Sequence, residues 1–305
     1  MSINNLIFLL FILPLGGFSQ SISGKVVDAK SKEPLPYANI VLLHKNKGVT
    51  TSENGLYSFD IKGETEDSIL ISYLGYASQE ITLKQFSDKF DNVLNIALIE
   101  NTSLIDEVVL SVKKAKYTSR KKIGISKDLF KFGFSVPFGF ESCTLIKNPS
   151  FRDGKVDELI LFFKKEPKND LYKVFTTHFR VKFYAYDIRN KKPGKLLCYE
   201  QIILKPDNTT QKINIDLKEL HIKYPRTGIC VGIETFNPEK RNNSKTMYLT
   251  SPNLRYTHDE ESLTWKSYKG KEWSKSDRKL KSKVFGKVHY KYANPMIQMK
   301  VQFRK

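Results

Sequence analysis

The sequence predicts an all-β protein made of a small sandwich followed by a larger one. Short apolar and β-branched runs recur along the chain between turn-rich segments, and no stretch of useful length shows a helical period. The chain has 305 residues, of which 40% are hydrophobic, enough material for two cores. Residues 20–99 carry a formal charge of −2 and residues 100–305 one of +21, so the net +19 lies in the second half. This asymmetry indicates two domains.

The first 19 residues are typical of a secretory signal peptide. Leu6 to Leu15 form an apolar run of suitable length, and Gly17 and Ser19 supply the small residues that precede a cleavage site. No Lys or Arg precedes this run, so a signal anchor is the alternative, although the run is short for a membrane span. We therefore predict cleavage before Gln20 and export to the periplasm, outer membrane or cell surface, with no transmembrane span in the mature chain.

Residues 20–99 are predicted to form a small seven-stranded sandwich. The strand candidates are ISGKVVD, YANIVLLH, VTTS, LYSFDI, SILISYL, ASQEITL and NVLNIAL. The pair Asn54-Gly55 marks one of the turns, because both residue types tolerate a positive φ. In SILISYL, Ile69 and Ile71 alternate with Leu70 and Ser72, as expected of a strand with two distinct faces. Several such runs between turns are typical of a sandwich.

This segment also resembles the carboxypeptidase-like regulatory domain. The motifs that carry the resemblance are Gly-Lys-Val, Pro-Leu-Pro-x-Ala-Asn, the hairpin from Gly-Val-Thr-Thr to Asn-Gly-x-Tyr-x-Phe, and Ser-Tyr-Leu-Gly-Tyr. The resemblance implies a transthyretin-like, Ig-like sandwich that serves as a scaffold. It also implies an exported protein of a Bacteroidetes-type bacterium.

Residues 100–127 are predicted to be a basic linker. The piece SLIDEVVLS resembles the segment that follows the same domain in TonB-dependent outer-membrane transporters. Six Lys and Arg residues then occur within ten positions, from Lys113 to Lys122. A solvated linker is the simplest interpretation of this charge, and a tether that binds a surface is the alternative.

Residues 128–305 are predicted to form the larger, jelly-roll-like sandwich. The strand candidates are VDELILFFKK, HFRVKFYAYDI, LLCYEQIIL, QKINIDL, TGICVGIETF, SLTWKSY and MIQMKVQF. Long strands, a hairpin turn at Pro193-Gly194 and the lack of helical patterns favour this architecture. This half is similar to uncharacterised β-sandwich domains that follow the regulatory module in exported bacterial proteins.

No motif points to catalysis, a metal or a cofactor. His258–Glu261 matches His-x-x-Glu, the partial zinc-ligand pattern of carboxypeptidases, and His289 is the one later histidine. We favour a solvated acidic loop there, since so short a match arises easily by chance. Nucleophile-elbow, phosphate-loop and Cys-x-x-Cys motifs are also missing from the sequence. We therefore predict a protein that is not an enzyme, with an enzyme of unrecognised type as one alternative.

The three cysteines are Cys143, Cys198 and Cys230. Their odd number excludes a fully paired disulfide framework. Buried free thiols are favoured, and a Cys198–Cys230 bridge is the alternative.

The strongest candidate for ligand binding is the segment Lys266–Lys291. It contains ten Lys and Arg residues against the two acids Glu272 and Asp277, and aromatic residues alternate with them. A hairpin around Lys269-Gly270 carries both tryptophans of the chain. If these aromatic rings are exposed, they would stack on a sugar. Aromatic residues at strand spacing are more often packed in the core. The candidate site residues are Trp265, Tyr268, Trp273, Lys279, Lys281 and Lys283.

Together these patterns predict a cell-envelope binding or adhesion module. Export argues against a nucleic-acid partner, although interleaved cations and rings are typical of nucleic-acid faces. The partners that fit are an anionic glycan, lipopolysaccharide or an outer-membrane protein complex. An accessory or truncated relative of a TonB-dependent transporter system is the alternative.

Overall fold

The computed structural model describes residues 21–86, 91–101, 115–125, 132–166, 171–237, 248–284 and 287–305. Within these ranges the chain forms strands and two short 3-10 helices, Leu83–Phe86 and Lys218–Leu220, so the predicted all-β class is confirmed. No helix among the described residues is long and apolar enough to cross a membrane. The predicted signal peptide lies outside the described residues, and cleavage before Gln20 stays a prediction.

The first sandwich consists of two four-stranded sheets around one core. Its strands are β1 (Ser21–Asp28), β2 (Asn39–Leu42), β3 (Gly48–Thr50), β4 (Leu56–Asp60), β5 (Ser68–Ser72), β6 (Gln79–Thr82), β7 (Asp91–Val93) and β8 (Ile96–Leu98). One sheet has the order β4-β1-β7 with β8 also paired to β1, and the other has the order β3-β2-β5-β6. Ile69 and Ile71 of β5 are buried in the core while Leu70 is less buried, as the alternation predicts.

This sandwich has eight strands rather than the predicted seven, because the last run is divided. β7 pairs with the first residues of β1, and β8 pairs with its last residues. Between them the backbone of Leu94 passes close to Gly24. If another residue stood at position 24, its Cβ would lie only 2.1 Å from the Leu94 carbonyl oxygen. Glycine at this position therefore permits the close approach that interrupts the strand.

The second sandwich contains the remaining strands. They are β9 (Lys121–Ile125), β10 (Phe132–Gly133), β11 (Phe140–Ile146), β12 (Gly154–Lys164), β13 (Val174–Thr176), β14 (His178–Asp187), β15 (Lys192–Leu196), β16 (Ile202–Leu204), β17 (Lys212–Asp216), β18 (Lys223–Tyr224), β19 (Ile229–Phe236), β20 (Leu249–Ser251), β21 (Asn253–Asp259), β22 (Thr264–Tyr268), β23 (Ser274–Lys275), β24 (Lys279–Val284), β25 (Lys287–Pro295) and β26 (Ile297–Phe303).

These strands form two large sheets. One has the order β24-β25-β21-β12-β26-β9, and the other has the order β15-β14-β19-β11-β22-β23. β10, β17 and β18 extend the first sheet, β16 extends the second, and β13 pairs with β20 separately. Apolar residues from both sheets, such as Leu161 and Phe163 of β12 with Phe179 and Val181 of β14, form the core.

One part of the predicted linker belongs to this sandwich. Residues Lys121–Ile125 form β9, which pairs with β26 at the edge of the first sheet. An edge strand exposes much of its surface, so Lys121 and Lys122 remain exposed while Ile125 is buried. Residues 102–114, which include most of SLIDEVVLS and the first lysines of the basic run, lie outside the described residues.

Candidate functional site

The hairpin of β24 and β25, here called the basic hairpin, presents lysines and tyrosines together. Lys279 lies opposite Tyr292 and Lys281 opposite Tyr290 in the antiparallel register, so each pair shares a face of the sheet. Both lysines are exposed, the Tyr290 side chain is 63% exposed, and Lys279 Nζ is 4.9 Å from the centre of the Tyr292 ring. Lys283 is in the same strand, but its side chain lies outside the described part of the structure.

The predicted hairpin around Lys269-Gly270 is present, but two of its aromatic candidates are buried. Lys269 and Gly270 have φ values of 47° and 83°, and the Lys271 amide donates to the Tyr268 carbonyl at 3.1 Å. β22 is an interior strand between β11 and β23, so Trp265 is only 3% exposed and Tyr268 only 7%. A stacking role for these two rings is therefore wrong, and they belong to the packed interior.

Trp273 differs from these two, because it is half-buried. The Trp273 ring packs edge-on against the Tyr184 ring, with 5.5 Å between the ring centres. The ring centres of Tyr186 and Trp265 lie 5.9 Å apart. The ammonium of Lys275 is 3.4 Å from the centre of the Trp265 ring. Trp273 and Tyr186 are each partly exposed, unlike Trp265 and Tyr268.

A cluster of five charged side chains lies beneath the small sandwich, on the sheet that contains β14 and β19. We call it the interdomain ion cluster, and its members are Glu141, Arg180, Lys182, Glu234 and Lys269. Glu234 Oε2 is 3.1 Å from Arg180 Nη1 and 2.9 Å from Lys182 Nζ, and Lys182 Nζ is 2.7 Å from Glu141 Oε2. All five side chains are buried, which makes their mutual pairing necessary.

The small sandwich completes this cluster with polar groups. Asn39 Nδ2 donates to Glu234 Oε1 at 3.2 Å, and Arg180 Nη2 donates to the Tyr37 carbonyl at 2.5 Å. Lys269 Nζ donates to Asn39 Oδ1 at 3.2 Å and to Thr50 Oγ1 at 2.5 Å. The two sandwiches are thus joined by buried hydrogen bonds to charged groups and not only by the intervening chain.

The cluster shifts the pKa values of its members in opposite directions. Burial would raise the pKa of Glu234, but the charges of Lys182 and Arg180 outweigh burial and lower this pKa to about 2. Burial lowers the pKa of Lys269 from 10.5 to about 8, although the charge of Glu234 opposes this change. Arg180 and Lys182 pair with the two carboxylates, whereas Lys269 donates to the neutral side chains of Asn39 and Thr50, so the cluster contains three cations and two carboxylates.

An open groove runs between the two sandwiches beside this cluster. It has a volume of about 510 Å³ and is lined by Leu43 and Leu70 of the small sandwich and by Phe140, Lys266 and Lys271 of the large one. Lys271 Nζ also donates to the Lys45 carbonyl at 2.6 Å, a contact that bridges the groove. The groove could hold an extended ligand between the two sandwiches.

The histidine and cysteine candidates occupy structural positions. His258 lies in strand β21 and is buried, not in a solvated loop as predicted, and burial together with the charge of Lys291 lowers its pKa. Among the described residues, no group of three or more His, Cys, Asp and Glu side chains is arranged to hold a metal ion. The side chain of His289 lies outside the described part.

All three cysteines are buried free thiols. The thiol that contacts Cys230 is that of Cys143 on the neighbouring strand, and not that of Cys198. Burial and this contact raise the pKa of Cys143 well above its usual value, so its reactive thiolate form is disfavoured.

Residues 22–110 match the family model of the CarboxypepD_reg-like domain. This match confirms the resemblance that the sequence motifs indicate, and it covers less than a third of the chain. No curated protein matches the chain.

Three solved structures show distant similarity. A protein from Bacteroides uniformis ATCC 8492 that is proposed to bind carbohydrate is 10% identical, with 95% of this chain and 100% of that chain covered and a TM-score of 0.22. A protein of unknown function from Bacteroides fragilis NCTC 9343, proposed to be membrane-associated, is 11% identical over 94% and 98%, with a TM-score of 0.21. The structure of infectious bursal disease virus, Gt strain, is 10% identical over 93% and 55%, with a TM-score of 0.28. Similarity at this level assigns no function.

Proposed function

We propose that the protein is an exported, non-enzymatic binding module of the cell envelope and that it binds an anionic glycan through the basic hairpin. The small sandwich serves as a scaffold that is docked to the binding sandwich by the interdomain ion cluster. The observation that carries the proposal is the surface on which exposed Lys279 and Lys281 lie opposite Tyr292 and the 63% exposed Tyr290.

The chemistry of this surface fits acidic sugars. Lysine ammonium groups attract carboxylates and sulfates, and an exposed phenol ring offers an apolar face and a hydroxyl to a sugar. Lysines on an edge strand also protect a sheet against unwanted strand pairing, and β24 is such an edge. That role does not require an exposed tyrosine opposite the lysines, whereas glycan binding uses both residue types.

The proposal is tested with the intact mature chain and polygalacturonate, with dextran as the neutral polymer. Replacing Lys279, Lys281 and Lys283 by Ser should weaken polygalacturonate binding at least about tenfold, because the attraction depends on local charge. The control variant replaces three exposed lysines of the same sandwich, Lys192, Lys212 and Lys223, by Ser and loses the same charge elsewhere.

The control variant should bind polygalacturonate as the unmodified chain does. Equal weakening in both variants would mean that only the net charge matters and that the hairpin is not a site. Binding of dextran as tight as that of polygalacturonate would contradict the role of the anion.

A further inference from the structure

A second pocket lies between the two sheets of the large sandwich, next to the start of the basic hairpin. It has a volume of about 170 Å³, and its wall includes Lys266 of β22 and Arg278, the residue before β24. This volume is smaller than that of pockets for drug-sized ligands, which begin at about 300 Å³. The pocket is therefore of a size for one small end group rather than for a polymer.

Among the described residues that line this pocket, two are cations and none is a carboxylate. The guanidinium of Arg278 is held 4.7 Å from the centre of the Phe134 ring, and Phe134 packs edge-on against Tyr256 at 5.1 Å. Burial and the nearby charge of Arg278 lower the pKa of Lys266, and the exposed Asp277 only partly opposes this shift. A bound anion would offset the repulsion between the two cations.

The rest of the wall combines hydroxyl groups with an apolar surface. Ser142, Tyr256 and Ser276 line it together with Phe140. The hydrogen bond between Ser142 Oγ and Tyr256 OH is long, at 3.4 Å, so both hydroxyls can form better bonds with a ligand. A ligand that suits this wall carries one negative charge, several hydroxyls and a compact ring.

The pocket adjoins the groove between the sandwiches. Phe140 and Lys266 line both cavities, so they form the boundary between them. An end residue in the pocket can therefore continue as a chain along the groove.

We propose that this pocket binds the terminal hexuronic acid of a glycan, with Lys266 and Arg278 on its carboxylate and Ser142, Tyr256 and Ser276 on its hydroxyls. The proposal rests on the proposed function in that the ligand is an acidic glycan. It uses different residues from those of the basic hairpin, so the two can fail separately.

The test is a titration of the intact mature chain with glucuronate, followed by NMR of the protein and the ligand. Glucuronate should bind saturably and shift the amide signals of Ser142 and Ala293, while glucose and acetate should each bind at least about tenfold more weakly. Lys266→Met and Arg278→Gln should each weaken glucuronate binding by at least about tenfold. Lys275→Met, which removes a cation from the neighbouring strand β23, should leave it unchanged, as should the triple serine variant of the basic hairpin.

Several results would overturn the assignment. If acetate binds as tightly as glucuronate, the pocket does not recognise a sugar; if glucose does, the carboxylate has no role. If glucuronate shifts only amide signals far from Ser142 and Ala293 in the unmodified chain, the ligand binds elsewhere. This result does not depend on whether the variants fold. Saturable glucuronate binding without polygalacturonate binding would support the pocket and contradict the role of the hairpin.

Discussion

Replacing Lys269 by Met should remove a pH dependence of stability that the buried ammonium creates. Lys269 is 2% exposed, and its ammonium donates hydrogen bonds to Asn39 and Thr50 of the small sandwich. Methionine keeps an apolar stem of similar length but has no charge to bury. The substitution therefore isolates the effect of the charge.

The magnitude follows from the lowered pKa of Lys269. This pKa is about 8 in the folded protein against 10.5 for an ordinary lysine, so the unfolded chain binds more protons between these two pH values. Stability must then rise with pH across this window, because the penalty for the charged form fades as the folded protein releases its proton. Between about pH 7.5 and about pH 9.5 the free energy of unfolding should increase by about 2 kcal/mol from this group alone.

The assay is urea unfolding at both pH values, followed by the fluorescence of Trp265 and Trp273, which report on the large sandwich. The change in the free energy of unfolding between the two pH values is measured for each protein. Subtracting the change of Lys269→Met from that of the unmodified protein cancels the titration of other groups and should leave the rise of about 2 kcal/mol. Lys205→Met is the matched control, because Lys205 forms an exposed ion pair with Glu53 across the same interface, at 3.0 Å. Its pH dependence should equal that of the unmodified chain. Identical pH dependence in Lys269→Met would refute the buried-charge reasoning.

Three further outcomes are expected. Glu234→Gln should lower the free energy of unfolding by about 3–5 kcal/mol in urea titrations, because Arg180 and Lys182 would lose the carboxylate they share; a loss below about 1 kcal/mol would contradict the cluster. Trp265→Ala should lower it by about 3–5 kcal/mol and half-buried Trp273→Ala by clearly less, and equal losses would argue against their different burial. Trypsin should cut within Lys113–Arg120. The two fragments should still elute together in size-exclusion chromatography, because the interdomain ion cluster joins the two sandwiches. Separate elution of the fragments would show that only the linker connects the sandwiches.

The small sandwich could be predicted from the sequence because its signals are local. Asn54-Gly55 and the alternation in β5 each report on a few adjacent residues. The edge strand β9 could not be recognised, since Lys121 and Lys122 at an exposed edge show the same polarity as a linker. Edge strands lack the second neighbour whose packing creates a clear apolar pattern.

The interdomain ion cluster was missed because it depends on pairing between distant strands. Glu141 meets Glu234 only through the register of β11 and β19, and no local pattern predicts that register. One signal was available: Arg180 and Lys182 alternate with the apolar residues Phe179, Val181 and Phe183 in one strand. Charges at alternate positions of a long interior strand indicate a face that another domain or a ligand covers.

The concentration of lysines in the basic hairpin is visible in the sequence, but which of the neighbouring rings are exposed is not. Trp265 and Tyr268 are buried because β22 is an interior strand, whereas Tyr290 is exposed because it belongs to a hairpin at the sheet edge. Sequence spacing alone does not distinguish these positions. Tyr290 and Tyr292 therefore join Lys279 and Lys281 as candidates only through the strand register.

The most direct test of glycan binding is a glycan array probed with the intact mature chain at low and high salt. The proposed function predicts that acidic glycans are retained in preference to neutral ones at low salt and that this retention falls steeply as salt rises, because exposed charges are screened within about 10 Å at 0.1 M. Retention of neutral glycans only, salt-insensitive retention, or no retention of any acidic glycan would contradict the proposal that the basic hairpin binds an anionic glycan.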